Sequence, residues 1–355
     1  MCKHISKREV AKESEMENVR CSNIESLRIV AMLMIVTHHV LVHGIIPVDN
    51  ANGIIPILDV FVIYGVNIFL LISGYFGIRL TWKSFFNLMW IIAFYKICHL
   101  FIDTVIFGVN HTIYEWLLKP ISGVVSGGGW FVDVYILLML VSPLLNRLLV
   151  EVKDIHEYLQ YLLVLLLLDI GYGFVLGKHF DAYGYSLMHF IVMYFVGYGI
   201  RHYVNVSKVF CLTFLGGCFI VYLCCVLLFY GVQWNVFYSY SSPFVVTVSC
   251  FIFVFFVKTG FYVNKVINYV ASSMLSVYLI HEGGYTSKWY YDIIGNYWNA
   301  TNGVKCIGII LLLILFPFVI AISLDQIRKL CATPIVRLLS SGMVKLEDYF
   351  REFIK

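Results

Sequence analysis

The sequence predicts an all-α, polytopic integral membrane protein of about ten transmembrane helices, with both termini on the cytoplasmic side. Two observations predict the class and a third the orientation. Of 355 residues, 61% are hydrophobic and 13% charged, where a soluble domain carries about 25% charged residues. Apolar runs close to the ~20 residues that cross a hydrocarbon core of about 30 Å recur along the chain, with no soluble block between them. Lysine and arginine, finally, are shared very unequally between alternate loops.

The expected spans are 24–43, 57–76, 84–107, 131–149, 158–176, 186–203, 209–230, 242–258, 266–283 and 303–324. The first is apolar enough to cross a membrane yet carries Arg28, His38, His39 and His43. The third holds Lys96 and His99 near its middle, the fourth opens on Trp130 and Asp133, and the fifth sets Asp169 among leucines. The ninth is the weakest, interrupted by Ser272, Ser273, Ser276 and His281. With the N-terminus inside, inner segments hold 19 basic residues and outer loops only Lys119, Lys178, Lys288 and Lys305. The chain thus divides into a cytoplasmic segment 1–23, a membrane domain 24–324 and a basic amphipathic tail 325–355. That tail, with Leu338, Leu339, Val344, Leu346, Tyr349, Phe350 and Phe353, either lies on the inner leaflet or is solvated.

Several classes are disfavoured. The net charge of +4 is a loop-charge bias and not a nucleic-acid footprint. The ten cysteines show no recurring Cys-x-x-Cys pairs and read as small buried hydrophobes, so neither a disulfide framework nor a metal site is expected. The polar first 23 residues and the lack of a cleavage site argue against a signal peptide, and Met16 is an alternative start.

An ionisable group inside a bilayer costs about 2.5–3.5 kcal/mol on insertion scales, so each is a functional candidate. Arg28 and His39 are eleven residues apart, which on an α-helix is three turns and about 20°, a shared face with about 16 Å along the axis. His38 points about 80° away. On the expected topology Asp59, Asp103, Trp130, Asp133, Asp169, His189, His281 and Glu282 gather toward the outer half. Asp59 and Asp103 are expected to face water, Asp169 to pair within the bundle and His189 to be structural. Arg28, Arg79 and Lys83 lie toward the inner side, where they suit an anionic, phosphate-bearing donor. A histidine deeper in the bundle suits proton abstraction from a hydroxyl. The distance between the two is about what an extended pantetheine arm spans, so acyl-CoA could present its thioester near an acceptor on the far side.

The same residues carry a family resemblance. Arg28 and His39 match an Arg-x10-His pattern, and Gly65-Val-Asn-Ile-Phe69-Leu-Leu-Ile-Ser73-Gly74-Tyr75 resembles a Phe-Phe-x-x-Ser-Gly-Tyr/Phe signature. Trp130-Phe131 with Ser142-Pro143 resembles a fourth-span pattern, and Ser276-Val-Tyr278-Leu-Ile-His281 a late Tyr-Leu-Ile-His motif. Together, in order, these four landmarks are similar to those of the acyltransferase-3 family of bacterial integral-membrane O-acyltransferases. The resemblance implies a ten-span enzyme of the cell membrane that moves an acyl group, usually acetyl, from coenzyme A as co-substrate to a hydroxyl of a cell-envelope glycan or lipid-linked saccharide, with no bound cofactor or metal. It carries the catalytic histidine over to His39 and its arginine to Arg28, and matches Tyr278 and His281 to the late motif. With the placement of the polar residues, donor binding is expected at Arg28, Arg79, Lys83 and Ser73 and the acceptor side at Trp130, Asp133, Tyr278 and His281. The chain departs from the family in having Gly129 before Trp130, where many members have histidine. The carboxylate that some members carry near this point is replaced at best by Asp133. No C-terminal esterase domain is expected.

Two other readings stay open at this level. A multi-span transporter of a small solute or lipid-linked glycan would also bury charges, but the seven prolines are expected mostly at helix ends and no internal repeat is evident, against the broken helices of such folds. A non-catalytic partner in an envelope assembly is the third.

Overall fold

The computed structural model describes residues 20–48, 58–126, 129–177, 182–228, 235–301 and 304–354, and none of them forms a strand. Met16, Lys3, Lys7, Arg8, Lys12, Lys178 and Lys355 lie outside these residues. The α-helices of more than four residues are α1 (Ser22–His39), α2 (Gly65–Phe76), α3 (Trp82–Val105), α4 (Ile113–Ser126), α5 (Trp130–Glu151), α6 (Ile155–Leu166), α7 (Leu187–Tyr203), α8 (Lys208–Leu228), α9 (Pro243–Val257), α10 (Lys265–Ala271), α11 (Met274–His281), α12 (Gly284–Ala300) and α13 (Val304–Ile354). Turns of π-helix extend α1 over Val40–Ile45 and α6 over Leu167–Val175. Six helical segments among the described residues are long and apolar enough to cross a membrane: Ser22–Ile45, Trp82–Val105, Trp130–Glu151, Ile155–Val175, Lys208–Cys225 and Cys306–Tyr349. The protein is an all-α membrane protein.

Local chemistry sets the helix starts. Thr81 and Ser84 form a reciprocal capping box at α3, with Ser84 N–H on Thr81 Oγ1 at 3.1 Å and Thr81 N–H on Ser84 Oγ at 2.9 Å. Asp154 accepts from the amides of His156 and Glu157 at α6, and Asn264 from those of Val266 and Ile267 at α10. Ser22 clasps α1 to α10 by accepting from Asn264 N–H at 2.7 Å and donating to Asn268 Oδ1 at 2.8 Å.

Three expectations need correction. The second span is short, since its helix begins only at Gly65. The ninth is broken into α10 and α11 at Ser272-Ser273. The break is fastened to α13, where Ser273 and Ser276 donate to Asp325 at 2.7 Å each and Lys329 Nζ donates to Ser272 and Ser273. Asp325 is fully buried and also holds Arg328. α13 runs unbroken through residue 325, so the last span and the segment after it form one helix. Pro120, Pro143, Pro317 and Pro334 lie inside helices, so the proline argument against a transporter lapses. Two helices were not foreseen, α4 and α12; their charged, aromatic and polar content keeps them below any membrane-span criterion.

The core is a continuous apolar cluster drawn from most of the helices. Its tightest crossing joins α2 and α7: a Cβ on Gly74 would fall on the backbone carbonyl of Tyr194, and one on Gly197 on that of Leu71. Only glycine permits such an approach. None of the described cysteines forms a disulfide.

Candidate active site

α1 delivers His39 at its last α-helical residue, where the π turn begins; Ile46 N–H bonding to Leu41 O at 2.8 Å marks the wider winding. Such turns are rare and concentrate at functional sites. α11 ends on His281, Glu282 follows as its C-cap, and α12 brings Tyr291 over the carboxylate. His39 Nδ1 lies 2.9 Å from Glu282 Oε1 and 3.0 Å from His281 Nε2. The Tyr291 hydroxyl donates to the same Glu282 oxygen at 2.6 Å, and His281 Nδ1–H donates to Val277 O at 2.6 Å.

These partners assign the protons. His281 spends its N–H on Val277, so its Nε2 is an acceptor; Glu282 is an acceptor too. His39 Nδ1 faces both and therefore carries the hydrogen, which leaves Nε2 as the ring's lone-pair nitrogen. His39 and His281 are 6% and 3% exposed, a low-dielectric setting in which these bonds are strong. His43, one turn on, stands 5.6 Å from the His39 ring and 5.4 Å from Tyr291 by ring centroids.

A cavity of about 250 Å³ lies next to this cluster and reaches Tyr278, while His39, His281 and Glu282 are not part of its lining. Arg20, Arg28 and Ser272 line one end, Phe131 and Tyr278 the other, and Met32, Ile35 and Ser73 the path between. Arg28, Met32, Ile35 and His39 follow one another on a single stripe of α1. Tyr278 stands 6.4 Å from the His39 ring and perpendicular to His281 at 5.9 Å. Arg28 makes one long contact, 3.9 Å to Glu25, and its buried Nε has no partner among the described residues. The guanidinium fork thus retains donors at the cavity mouth. Ser73 Oγ donates to Phe69 O at 3.0 Å.

The remaining expected residues fall elsewhere. Arg79 lines a separate recess with Arg201 and His202, and Lys83 a groove against α13, so neither joins Arg28 in the cavity. Trp130 packs on Tyr185 at 4.2 Å and stacks on Tyr240 at 5.6 Å. Asp133 sits in the first turn of α5, and its Oδ1 has no hydrogen-bond partner among the described residues. Gly129 has φ +87°, and a Cβ there would lie 2.7 Å from the Tyr278 hydroxyl. The tyrosine fills the space that a longer side chain at this position would need.

Asp59 and Asp103 do not face water: they are 1% and 5% exposed. Asp59 accepts from His38 Nδ1 at 2.6 Å, which turns His38 away from the cluster, and Asp103 accepts from Tyr285 N–H at 3.3 Å. Asp169 does pair within the bundle. His189 donates from Nδ1 to Asp169 at 2.7 Å and from Nε2 to Asn67 Oδ1 at 3.0 Å, and Asn67 donates to Tyr240 O at 2.9 Å. Reasoning from sequence took Glu282 only as a polar helix end and missed Arg20 and Tyr291. The one available signal was adjacency of Glu282 to the motif histidine.

His39 Nδ1, His281 Nε2 and a Glu282 oxygen lie within 4.8 Å of one another, a donor set of the kind that binds zinc with a position left open. Chemically, then, the cluster can act as an oriented imidazole base or take up a divalent cation. A family model described as an acyltransferase domain matches residues 22–325. No curated protein and no solved structure gives a significant match. Spanning both the Arg28–His39 helix and the Tyr278–His281 motif, that match shows that the chain belongs to the acyltransferase-3 family and is an acyltransferase of the membrane.

Proposed function

We propose that the protein is an O-acyltransferase that carries an acyl group, acetyl in the simplest case, from cytosolic acyl-CoA to a hydroxyl of a cell-envelope glycan or lipid-linked saccharide. It acts in the plasma membrane of a bacterium, with ten crossings and both termini in the cytoplasm. The observation that carries the reading is the cavity: cationic at Arg20 and Arg28, apolar along Met32 and Ile35, and ending on Tyr278 beside the His39 cluster.

The phosphates of the donor rest on Arg28 and Arg20, and its pantetheine arm follows the α1 stripe past Ser73. His39 Nε2 takes the proton of the acceptor hydroxyl as the oxygen attacks the thioester carbonyl. The carbon–sulfur bond breaks, and the imidazolium returns that proton to the departing CoA thiolate, giving the ester and free thiol. A two-step variant passes the acyl group through His39 Nε2 itself. Glu282 keeps the hydrogen on Nδ1 and stabilises the transient cation, as a carboxylate orients a catalytic histidine elsewhere. Trp130, Asp133, Tyr278 and His281 wall the acceptor side.

The test uses membrane vesicles and labelled acetyl-CoA. Label should appear in envelope glycan, and His39→Ala should abolish transfer while the membrane level of the protein stays normal. His38→Ala should still transfer. Solute flux without label transfer would favour the transporter, and activity surviving in His39→Ala but lost in His38→Ala would overturn the assignment of the base. Mass spectrometry of envelope glycans from a deletion strain identifies the acceptor.

A further inference from the structure

The groove that holds Lys83 is separate from the cavity and has a distinct composition. It measures about 850 Å³ and lies between the start of α3, the middle of α5 and the last third of α13. Lys83, Arg337 and Lys345 face it with a single carboxylate, Glu347, while Trp82 and Leu140 contribute apolar wall. None of the three cations is engaged in an ion pair among the described residues. Arg328 and Lys329, earlier on α13, are by contrast both engaged with Asp325.

The depth of the groove follows from helix register. Tyr95 Oη donates to Ala321 O at 3.3 Å, tying α3 to α13. Twelve residues back along α3 lies Lys83, about 18 Å away. The same distance forward along α13 reaches Thr333, just before Arg337. Lys83 and Arg337 thus stand near the level at which α3, one of the membrane-length helices, ends at its Thr81 cap, and Lys345, about two turns further along α13, lines the same groove. That is the level of lipid headgroups, and a tryptophan at that level is an interfacial residue.

We propose that this groove is a binding site for an anionic phospholipid. The lipid phosphate sits among Lys83, Arg337 and Lys345, and the first methylenes of its chains run along Trp82 and Leu140 toward the bilayer. Basic pockets between membrane helices recognise anionic headgroups in this way, and the volume is that of a ligand cleft. The site does not depend on the reaction proposed above.

The test is native mass spectrometry of the full-length protein from detergent, titrated with phosphatidylglycerol and with phosphatidylcholine of the same chains. Phosphatidylglycerol should be retained at least tenfold better, and the K83Q/R337Q/K345Q variant should lose that preference while keeping its thermal midpoint. K83Q alone, an exposed position, should lose part of it and serves if the triple variant does not fold. Equal retention of the two lipids, or an unchanged preference in the variants, overturns the proposal. Displacement of phosphatidylglycerol by coenzyme A or by millimolar inorganic phosphate also overturns it, since the groove would then serve a soluble phosphate.

Discussion

Exchanging Glu282 for glutamine keeps the shape of the side chain and removes its charge. The amide can then donate to His39 Nδ1, which drives the ring hydrogen onto Nε2 and leaves no basic nitrogen for the acceptor. In serine hydrolases the corresponding change costs about 10⁴-fold in kcat. Here the Tyr291 and His281 contacts remain, so Glu282→Gln should lower kcat by about 10²- to 10⁴-fold with the KM for acyl-CoA unchanged. Tyr291→Phe removes one bond to the carboxylate and should cost about tenfold. Steady-state kinetics on membrane vesicles separates the two. A Glu282→Gln enzyme with wild-type kcat would remove the carboxylate from the mechanism, and a fall confined to KM would make it a binding residue instead.

At the scale of elements, the crossing of α2 on α7 decides whether the Ser73-Gly74-Tyr75 segment reaches the cavity. Gly74→Ala places a methyl group on the Tyr194 carbonyl, and overpacking of this kind costs about 1–3 kcal/mol. The variant should show a lower thermal midpoint in detergent, whereas Gly216→Ala, with open space around it, should not. The helices themselves were legible in the sequence because hydropathy and length suffice for membrane segments: each of the ten expected stretches holds a helix or a broken pair. What hydropathy could not convey was the Ser272-Ser273 break, since it depends on Asp325, Arg328 and Lys329 arriving from a helix some fifty residues downstream. Nor could it convey α4 and α12, which are too polar to register. Periodicity, by contrast, was sufficient to put Arg28 and His39 on one stripe, because both lie in regular α-helix before the π turn.

For the molecule as a whole, the buried polar groups form separate sets with different work. Asp169, His189 and Asn67 are each 0% exposed and join the end of α6 to α7 and α2. Removing one partner of a buried pair costs about 3–5 kcal/mol because the other is left uncompensated. Asp169→Asn should therefore reduce the thermal midpoint and the membrane level of the protein, while activity per folded molecule changes little; a selective loss of kcat would instead connect this triad to the chemistry. Which charged residues meet was the least legible property of the sequence. Arg79 and Lys83 share a side with Arg28 on the topology expected from loop charge, yet they line different surfaces from the cavity that holds Arg28. Glu282, only a helix end in the sequence, becomes the partner of His39 because the chain turns directly after it.

The π turn after His39 divides that helix into two stretches with different phase. Winding five residues back instead of four places one more residue in the turn than an α-helix would accept. His39 lies on the near side of this dislocation and takes its orientation from Arg28, Met32 and Ile35. His43 lies beyond it and takes its orientation from α12. A slip of the π turn along the helix would therefore rotate His43 while His39 kept its bonds to Glu282 and His281, so one histidine can be retuned without the other.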